Sequence, residues 1–313
     1  MFEIIDEMRQ RAKKDPRTII LPEGHDSRVR EAAEKIKHDK LADVILLDET
    51  ALDVQKIEKF SQEFYEIRKH KGITLDEARQ IIENPVYYAA MMVRNNEADG
   101  FVAGASHTTP DVVRASIHCI GVDRKFGTVS SCFIMVVPDC DLGERGTFIF
   151  ADCGVIPQPT ARELANIAIS SANLEEAVLG FTPRIAMLSY STYGSAKGES
   201  VDRIREAVAL VKAEQPNLII DGELQVDSAI VPEVARFKGA NDLIKGQANV
   251  LIFPNLDAGN ISYKLVNRLV KARAIGPLLQ GLNKPASDLS RGCTVEEIID
   301  CVVVTAIRSQ KRS

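Results

Sequence analysis

The chain has 313 residues, 45% apolar and 27% charged, with a formal net charge of −5. That composition belongs to a globular protein, long enough for a large core and, at roughly 150 residues per domain, for two domains. An acidic balance lacks the basic excess that neutralises nucleic-acid phosphates, and no apolar run reaches the roughly 18 residues that span a bilayer, so neither a nucleic-acid partner nor a membrane is expected.

Residues 1–11 carry Glu3, Asp6 and Glu7, unlike a targeting peptide, and Phe2, Ile5 and Met8 at helical spacing predict a docked amphipathic helix. Residues 18–21 form the first predicted strand, stopped by Pro22 and Gly24. Asp26 or Ser27 can cap a helix through Ile36. A strand is predicted over 41–47, one long helix over 76–95, a strand over 101–104 and a helix over 111–120. Residues 129–137 and 147–151 read as adjacent strands, a hairpin that interrupts the strand–helix rhythm and places a domain change near Asp139. The rhythm then resumes. A helix is predicted over 160–179, a strand over 184–191, and a helix whose face carries Val201, Ile204, Val208 and Val211. A strand over 218–221, a helix over 228–237 despite Pro232, a strand over 250–253, a helix over 261–273 and a strand over 275–279 follow. The last helix has the clearest stripe, Val295, Ile298, Ile299, Val302, Ala306 and Ile307, before a polar tail over 308–313 that should fray.

Repeated strand-then-helix units predict an α/β fold of largely parallel sheets, in which ligands bind beyond the C-terminal strand ends. The expected organisation is a discontinuous first domain, 1–139 plus 290–313, and a second domain, 140–289. Six scattered cysteines form no Cys-x-x-Cys pair, and five histidines show no metal-ligand spacing. No metal site is expected, and reduced thiols in a chain of this size point to the cytoplasm.

Several segments could carry chemistry. Asp288-Leu-Ser-Arg-Gly-Cys-Thr294 precedes the last helix, where free N–H groups and a forked guanidinium suit an anion; the same pattern is also an ordinary polar loop that starts a helix. Thr294 and Glu297 fit a capping box, and Glu297 could instead serve as a general base. Arg68 opens the basic run Arg68-Lys-His-Lys71 ahead of a helix, either a solvated face or an anion contact. Arg114 follows a strand-end loop and could point into a crevice or sit in a surface ion pair. Gly194-Ser-Ala-Lys-Gly198 resembles a phosphate loop without Walker spacing, and places Ser195 and Lys197 as substrate contacts. Cys140 and Cys293 are alternative nucleophiles or small buried hydrophobes.

Taken in order, Ile81-Ile-Glu-Asn-Pro-Val-Tyr-Tyr-Ala-Ala90, Ala98-Asp-Gly-Phe-Val-Ala-Gly104, Phe150-Ala-Asp-Cys-Gly-Val155, Met187-Leu-Ser-Tyr-Ser-Thr-Tyr-Gly-Ser-Ala-Lys197, Asp221-Gly-Glu-Leu-Gln225, Phe253-Pro-Asn-Leu-Asp-Ala-Gly-Asn260 and Asp288-Leu-Ser-Arg-Gly-Cys293 resemble the phosphate acetyl/butyryltransferase family over nearly the whole chain. The resemblance implies two α/β domains with a cleft between them, like the isocitrate and isopropylmalate dehydrogenases, and a homodimer. It implies reversible acetyl transfer between acetyl-CoA and phosphate, with CoA, acetyl phosphate and phosphate as substrates and no bound cofactor. By similarity Ser290 and Arg291 match the family's catalytic serine and arginine, and Arg114 and Arg68 its other active-site arginines. The family's catalytic aspartate falls at Glu297, a departure that lengthens the reach by one methylene; Gly239-Ala-Asn-Asp-Leu-Ile-Lys245 is a second departure.

The implied reaction is direct attack of the CoA thiolate on the acyl carbonyl. Three rivals remain: phosphate butyryltransferase, a catalytically inactive metabolite-binding relative, and a metal-dependent hydroxyacid dehydrogenase that would need clustered acids, for which Asp221, Glu223 and Asp227 are the nearest.

Overall fold

The computed structural model describes residues 3–310 apart from 49, 51 and 241, so Phe2 and the tail from 311 lie outside the described residues. The chain forms two compact units. Of the described residues, the terminal unit comprises 4–123 and 282–310; the other, the central unit, comprises 124–281 and Glu3. The division is discontinuous, but it falls at 123/124 and 281/282, not near 139 and 290. Pairing decides this, because the strand over 130–136 joins the central sheet on both of its edges, while residues 286–288 pair with a strand of the terminal unit.

In the terminal unit, β1 (Thr18–Leu21), β2 (Asp43–Leu46), β3 (Gly100–Ala103) and β10 (Ala286–Asp288) pair in parallel in the order β2-β1-β3-β10. Helix α1 is Glu3–Lys14, and α2 (Ser27–His38) is capped by Asp26, whose side chain accepts from the Arg28 N–H. Helix α3 (Val54–Arg68) has no counterpart among the predicted elements; Arg68 is its last residue, and the basic run 68–71 lies ahead of the next helix as read. The single helix predicted over 76–95 is two, α4 (Leu75–Ile82) and α5 (Pro85–Arg94). Proline has no N–H to continue α4, and Asn84 accepts from the Val86 and Tyr87 N–H groups to start α5. Helix α6 (Thr109–Ala115) runs into a π turn over Ser116–Ile120. Helix α12 (Val295–Ser309) packs against α2, β1, β3 and β10, with every residue from Ile298 to Ile307 buried. The predicted stripe is thus buried all round, and its one acid there, Asp300, is held by Arg9 at 3.0 Å. Arg308 and Ser309 of the expected tail are helical.

In the central unit, β4 (Ser130–Val136), β5 (Thr147–Ala151), β6 (Arg184–Leu188), β7 (Ile219–Leu224), β8 (Val250–Ile252) and β9 (Arg273–Gln280) run in the order β9-β4-β5-β8-β6-β7. The predicted hairpin is present as the antiparallel β4–β5 pair; β4–β9 is also antiparallel, and the remaining pairs are parallel. One face of this sheet carries Phe133, Met135, Phe148, Phe150, Leu188 and Leu251 in a cluster with α9 (Val226–Ile230), the segment after α10 (Pro232–Phe237), and α11 (Leu256–Leu269). Helix α7 (Ala161–Leu174) packs on β4, β5, β6, β8 and β9 without joining that cluster, so it covers the other face, with α8 (Glu199–Glu214) beside it. The helix predicted over 228–237 is broken at Pro232, and the one predicted from 261 begins at Leu256, where Asn255 accepts from the Ala258 N–H.

Candidate active site

In the terminal unit the four parallel strands end on one edge, and the loops that follow β1, β3 and β10 are bound to one another there. Glu23, just past β1 and buried, is the anchor. Its Oε2 accepts from the N–H groups of Gly104 (3.0 Å) and Ala105 (2.8 Å). Its Oε1 accepts from the N–H and Oγ of Ser106, the N–H of His107 (2.9 Å) and His107 Nδ1 (2.8 Å). Burial alone would raise this carboxyl's pKa; the His107 hydrogen bond and the backbone donors overcome it and bring it down to about 2. Gly104 has φ +114°, and a Cβ there would lie 2.3 Å from Asp288 Oδ1, so only glycine lets the β3 and β10 loops approach this closely.

Arg28 ties the third loop in. Its Nη1 donates to the carbonyls of Arg291 and Cys293, both at 2.9 Å, and its Nη2 to the Ala105 carbonyl (3.0 Å) and Asp26 (2.6 Å). Ser290 and Arg291 are therefore presented on a braced turn, with both residues exposed. Ser290 Oγ accepts from the Gly292 N–H at 3.3 Å, and among the described residues the Arg291 guanidinium has no carboxylate partner. Glu297 lies one turn into α12 and closes the capping box: its Oε2 accepts from the Thr294 N–H (2.8 Å), and Thr294 Oγ1 accepts from the Glu297 N–H. The structural role read from the sequence is thus in place. Beneath the turn, Asp288 is fully buried with Thr109 Oγ1 at 2.5 Å, and burial lifts its carboxyl to about 7 against that hydrogen bond.

Arg68 and Arg114 come together around a residue not singled out by the sequence. Arg68 Nη2 lies 3.2 Å from His118 Nε2, and Tyr87 Oη lies 3.3 Å from His118 Nδ1. Burial first, then the charges of Arg68 and Arg114, push His118 down to about 4, so it is neutral at pH 7. A guanidinium only donates, so Nε2 accepts from Arg68 and Nδ1 carries the proton toward Tyr87. Burial likewise pushes Tyr87 up to about 12. Arg114 also meets Asp111 at 3.3 Å, the surface ion pair that was its other reading. Arg68 has no carboxylate partner among the described residues, and the imidazole it leans on is neutral, so its charge is available to an anion. Thr109, at the start of the helix that carries Arg114, joins this cluster to Asp288 and hence to the Ser290 turn.

Ser195 and Lys197 lie in the central unit, on the loop after β6, and both are exposed. Ser195 Oγ accepts from the Thr192 N–H at 3.0 Å. The loop is held by Glu223, whose Oε1 accepts from the Gly194 N–H and Ser191 Oγ, both at 2.8 Å, while Arg205 donates to Oε2 at 2.8 Å and to Oε1 at 3.0 Å. Burial opposes ionisation, yet Arg205 and the other donors bring Glu223 to about 2. The other two acids considered as metal ligands are also engaged, Asp221 with the Tyr193 hydroxyl and Asp227 with Lys238. Cys293 is buried and pushed up to about 11 by that burial, which suits a packing residue and not a thiolate nucleophile.

Three features suit phosphate: a braced serine–arginine turn at a helix start, an arginine on a neutral histidine, and a glycine–serine–lysine loop. The family model for phosphate acetyl/butaryl transferase matches residues 3–306. The chain belongs to that family. It is 45% identical to a phosphate acetyltransferase of Acetivibrio thermocellus over 99% of both chains. With one from Thermoanaerobacterium thermosaccharolyticum it shares 46% identity over 99% of this chain and all of the other. Among solved structures, a phosphotransacetylase from Streptococcus pyogenes superposes with a TM-score of 0.89 at 36% identity, covering 98% of each chain. The family membership and the α/β fold expected from the sequence are both met. No helix among the described residues is long and apolar enough to cross a membrane. No role was read from the sequence for Glu23, Arg28, Asp288 or His118, although Glu23 and Asp288 lie in strand-end segments that it marked. Their one local signal is position, since Glu23 and Asp288 each sit at the C-terminal end of a strand.

Proposed function

We propose that the chain catalyses the reversible transfer of an acetyl group between acetyl-CoA and inorganic phosphate, with CoA, acetyl phosphate and phosphate as its small-molecule substrates and no resident cofactor. The observation that carries this reading is the Ser290–Arg291 turn, exposed, braced by Arg28 and set at the start of α12 in a chain of this family. In the direction of acetyl-CoA synthesis, the thiol of CoA loses its proton and the thiolate attacks the acetyl carbonyl. A carbon–sulfur bond forms, the carbon–oxygen bond to phosphate breaks, and phosphate leaves with the electron pair. Arg291 holds the phosphate with its fork and neutralises the charge that develops there. Ser290 donates a hydrogen bond to the oxyanion or the phosphate, and Arg68 and Arg114 supply further positive charge on the same edge of the unit. Glu297 takes the thiol proton: its Oε2 is committed to the cap, and Oε1 makes no hydrogen bond among the described residues. On the central unit, Ser195 and Lys197 of the loop after β6 are the proposed anion contacts. The six free cysteines, five of them buried, fit a reducing cytoplasm. The functional assembly is a homodimer.

The test is thioester formation, followed by absorbance, from CoA with acetyl phosphate and in parallel with butyryl phosphate. Turnover with acetyl phosphate is expected, and a preference for butyryl phosphate would move the substrate while keeping the chemistry. Arg291→Lys should lose on the order of 100-fold or more in kcat, because a point charge does not replace a bidentate fork. Absence of turnover with both substrates from folded protein would overturn the reading.

A further inference from the structure

The acyl-transfer scheme gives His118 no task, yet three elements of the terminal unit converge on it. Helix α3 brings Phe64 and Arg68, one turn apart on the same face. Helix α5 brings Tyr87, in the turn that Asn84 starts. The π turn after α6 carries His118 itself, with Arg114 one turn before it. That turn is closed by the Gly121 N–H on the Ser116 carbonyl at 3.2 Å. A wider turn re-aims the side chains it carries, and such turns recur at functional sites.

The imidazole is fixed before any ligand arrives. Its ring packs against Phe64 and Tyr87, with centroids 6.4 and 6.1 Å away, and those two rings meet edge to face at 5.7 Å. Tyr87 Oη lies 3.3 Å from Nδ1, which leaves Nε2 to face Arg68 Nη2 at 3.2 Å. This is the one hydrogen bond Arg68 makes among the described residues. The geometry itself sets the charge state: a guanidinium only donates, so the nitrogen facing it is unprotonated. A carboxylate in that place would hold the fork as firmly, but it would cancel the positive charge. The imidazole restrains Arg68 and leaves both its charge and its remaining N–H donors to another acceptor. A long side chain already held in place loses less freedom when it binds an anion.

We propose that His118 is the positioning residue of Arg68, an uncharged acceptor that holds the guanidinium ready for a phosphate group of a substrate. This rests on the acyl-transfer reading for the source of that phosphate, since CoA and acetyl phosphate both carry one. The test is binding of CoA and, separately, of inorganic phosphate to the full chain by titration calorimetry. KM and kcat for thioester formation are measured on the same proteins, and circular dichroism checks their fold. His118→Leu fills the space between the rings and removes the acceptor. It should weaken one of the two ligands by about 10-fold and raise the matching KM, with kcat within about 3-fold of wild type. His118→Gln sets an amide oxygen where Nε2 stood and should bind within about 3-fold of wild type. His118→Glu holds Arg68 but pairs with it, and should bind more weakly than His118→Leu, by about 30-fold or more against wild type. The ligand that loses affinity names the phosphate group that Arg68 meets. Wild-type affinity for both ligands in His118→Leu would overturn the proposal. Equal losses in His118→Leu and His118→Gln would assign the residue to packing alone, and a His118→Glu variant as good as His118→Gln would show that the charge of Arg68 is not used. A wild type that binds neither ligand would overturn it as well. The expected order of affinities without thioester formation by the wild type would uphold the positioning role and sink the acyl-transfer reading.

Discussion

Glu23 in the terminal unit and Glu223 in the central unit stand at corresponding places. Each is a buried carboxylate at the end of a strand, and each holds the loop that follows a neighbouring parallel strand, 104–107 for Glu23 and 191–194 for Glu223. They differ in how the negative charge is balanced. Glu23 is held by four backbone N–H groups, one hydroxyl and His107, without an arginine or lysine. Glu223 takes one backbone N–H and one hydroxyl, and leans on the guanidinium of Arg205, whose side chain is 41% exposed. The first arrangement makes the shape of a loop depend on a carboxylate, since four consecutive amides must converge on it. The second is an ion pair with one partner in water, which tolerates the loss of either member better.

The largest expected effect sharpens this contrast. Glu23→Ala should cost about 3–5 kcal/mol in urea unfolding, because buried amides lose their acceptor together. Thioester formation should fall with it, since the same loop leads through Thr109 to Asp288 and the Ser290 turn. Glu223→Ala should cost about 1–2 kcal/mol, because Arg205 can turn to solvent. Equal losses at the two sites would break the comparison.

Acid titration separates the two carboxylates from the rest of the chain. Both are lowered from 4.5 to about 2 in the folded protein. A lowered folded pKa means the stabilisation is fully present above the unfolded value and is lost as pH falls through 4.5 toward 2. His118, lowered from 6.5 to about 4, is lost in the same direction over a higher window, because it is neutral when folded and charges on unfolding. The unfolding midpoint followed against pH should drop across both windows, and Glu23→Gln should flatten the lower one. Added salt should reduce the Glu223 contribution more than that of Glu23, because Arg205 faces water.

Asp288 reverses the sign. Its carboxyl is raised from 3.8 to about 7, so its neutral form is the one the fold accommodates, and that preference is lost as pH rises through 7. Asp288→Asn should come nearest to the wild type in stability below pH 4 and exceed it by a growing margin up to about pH 7, measured by thermal unfolding in matched buffers at the two ends of that range. A variant that is weaker at both pH values would show that the charged carboxylate is needed. The smallest effect is at the cap. Thr294→Ala should cost about 1 kcal/mol in thermal unfolding, because the Glu297 N–H loses its acceptor, and should leave the pH profile of kcat in place, because the Thr294 N–H still holds Glu297 Oε2.

The legible parts of this molecule are those written within a few residues. Hydrophobic period placed α2, α7, α8 and α12, the run over 18–21 placed β1, and Thr294 with Glu297 announced the capping box that closes the start of α12. The errors have local causes too. Pro85 and Pro232 were read through when each starts a new helix, and β10 is only three residues long. Of the candidate site, Ser290, Arg291, Glu297, Arg114, Arg68, Ser195 and Lys197 were named from motif and resemblance, and apart from Thr294 for Glu297 their partners were not.

What the sequence determined by itself was the alternation of strand and helix, the family, and the residue types that face an anion. Only tertiary structure decided what holds them. Arg28 braces a turn 263 to 265 positions away, Glu23 collects donors from 81 to 84 positions away, and β10 joins the sheet by pairing with β3. Periodicity and capping act through neighbours along the chain and leave a pattern there. A carboxylate or guanidinium that satisfies distant backbone groups leaves no pattern near itself, because any polar residue at that position reads the same until folding supplies its partners.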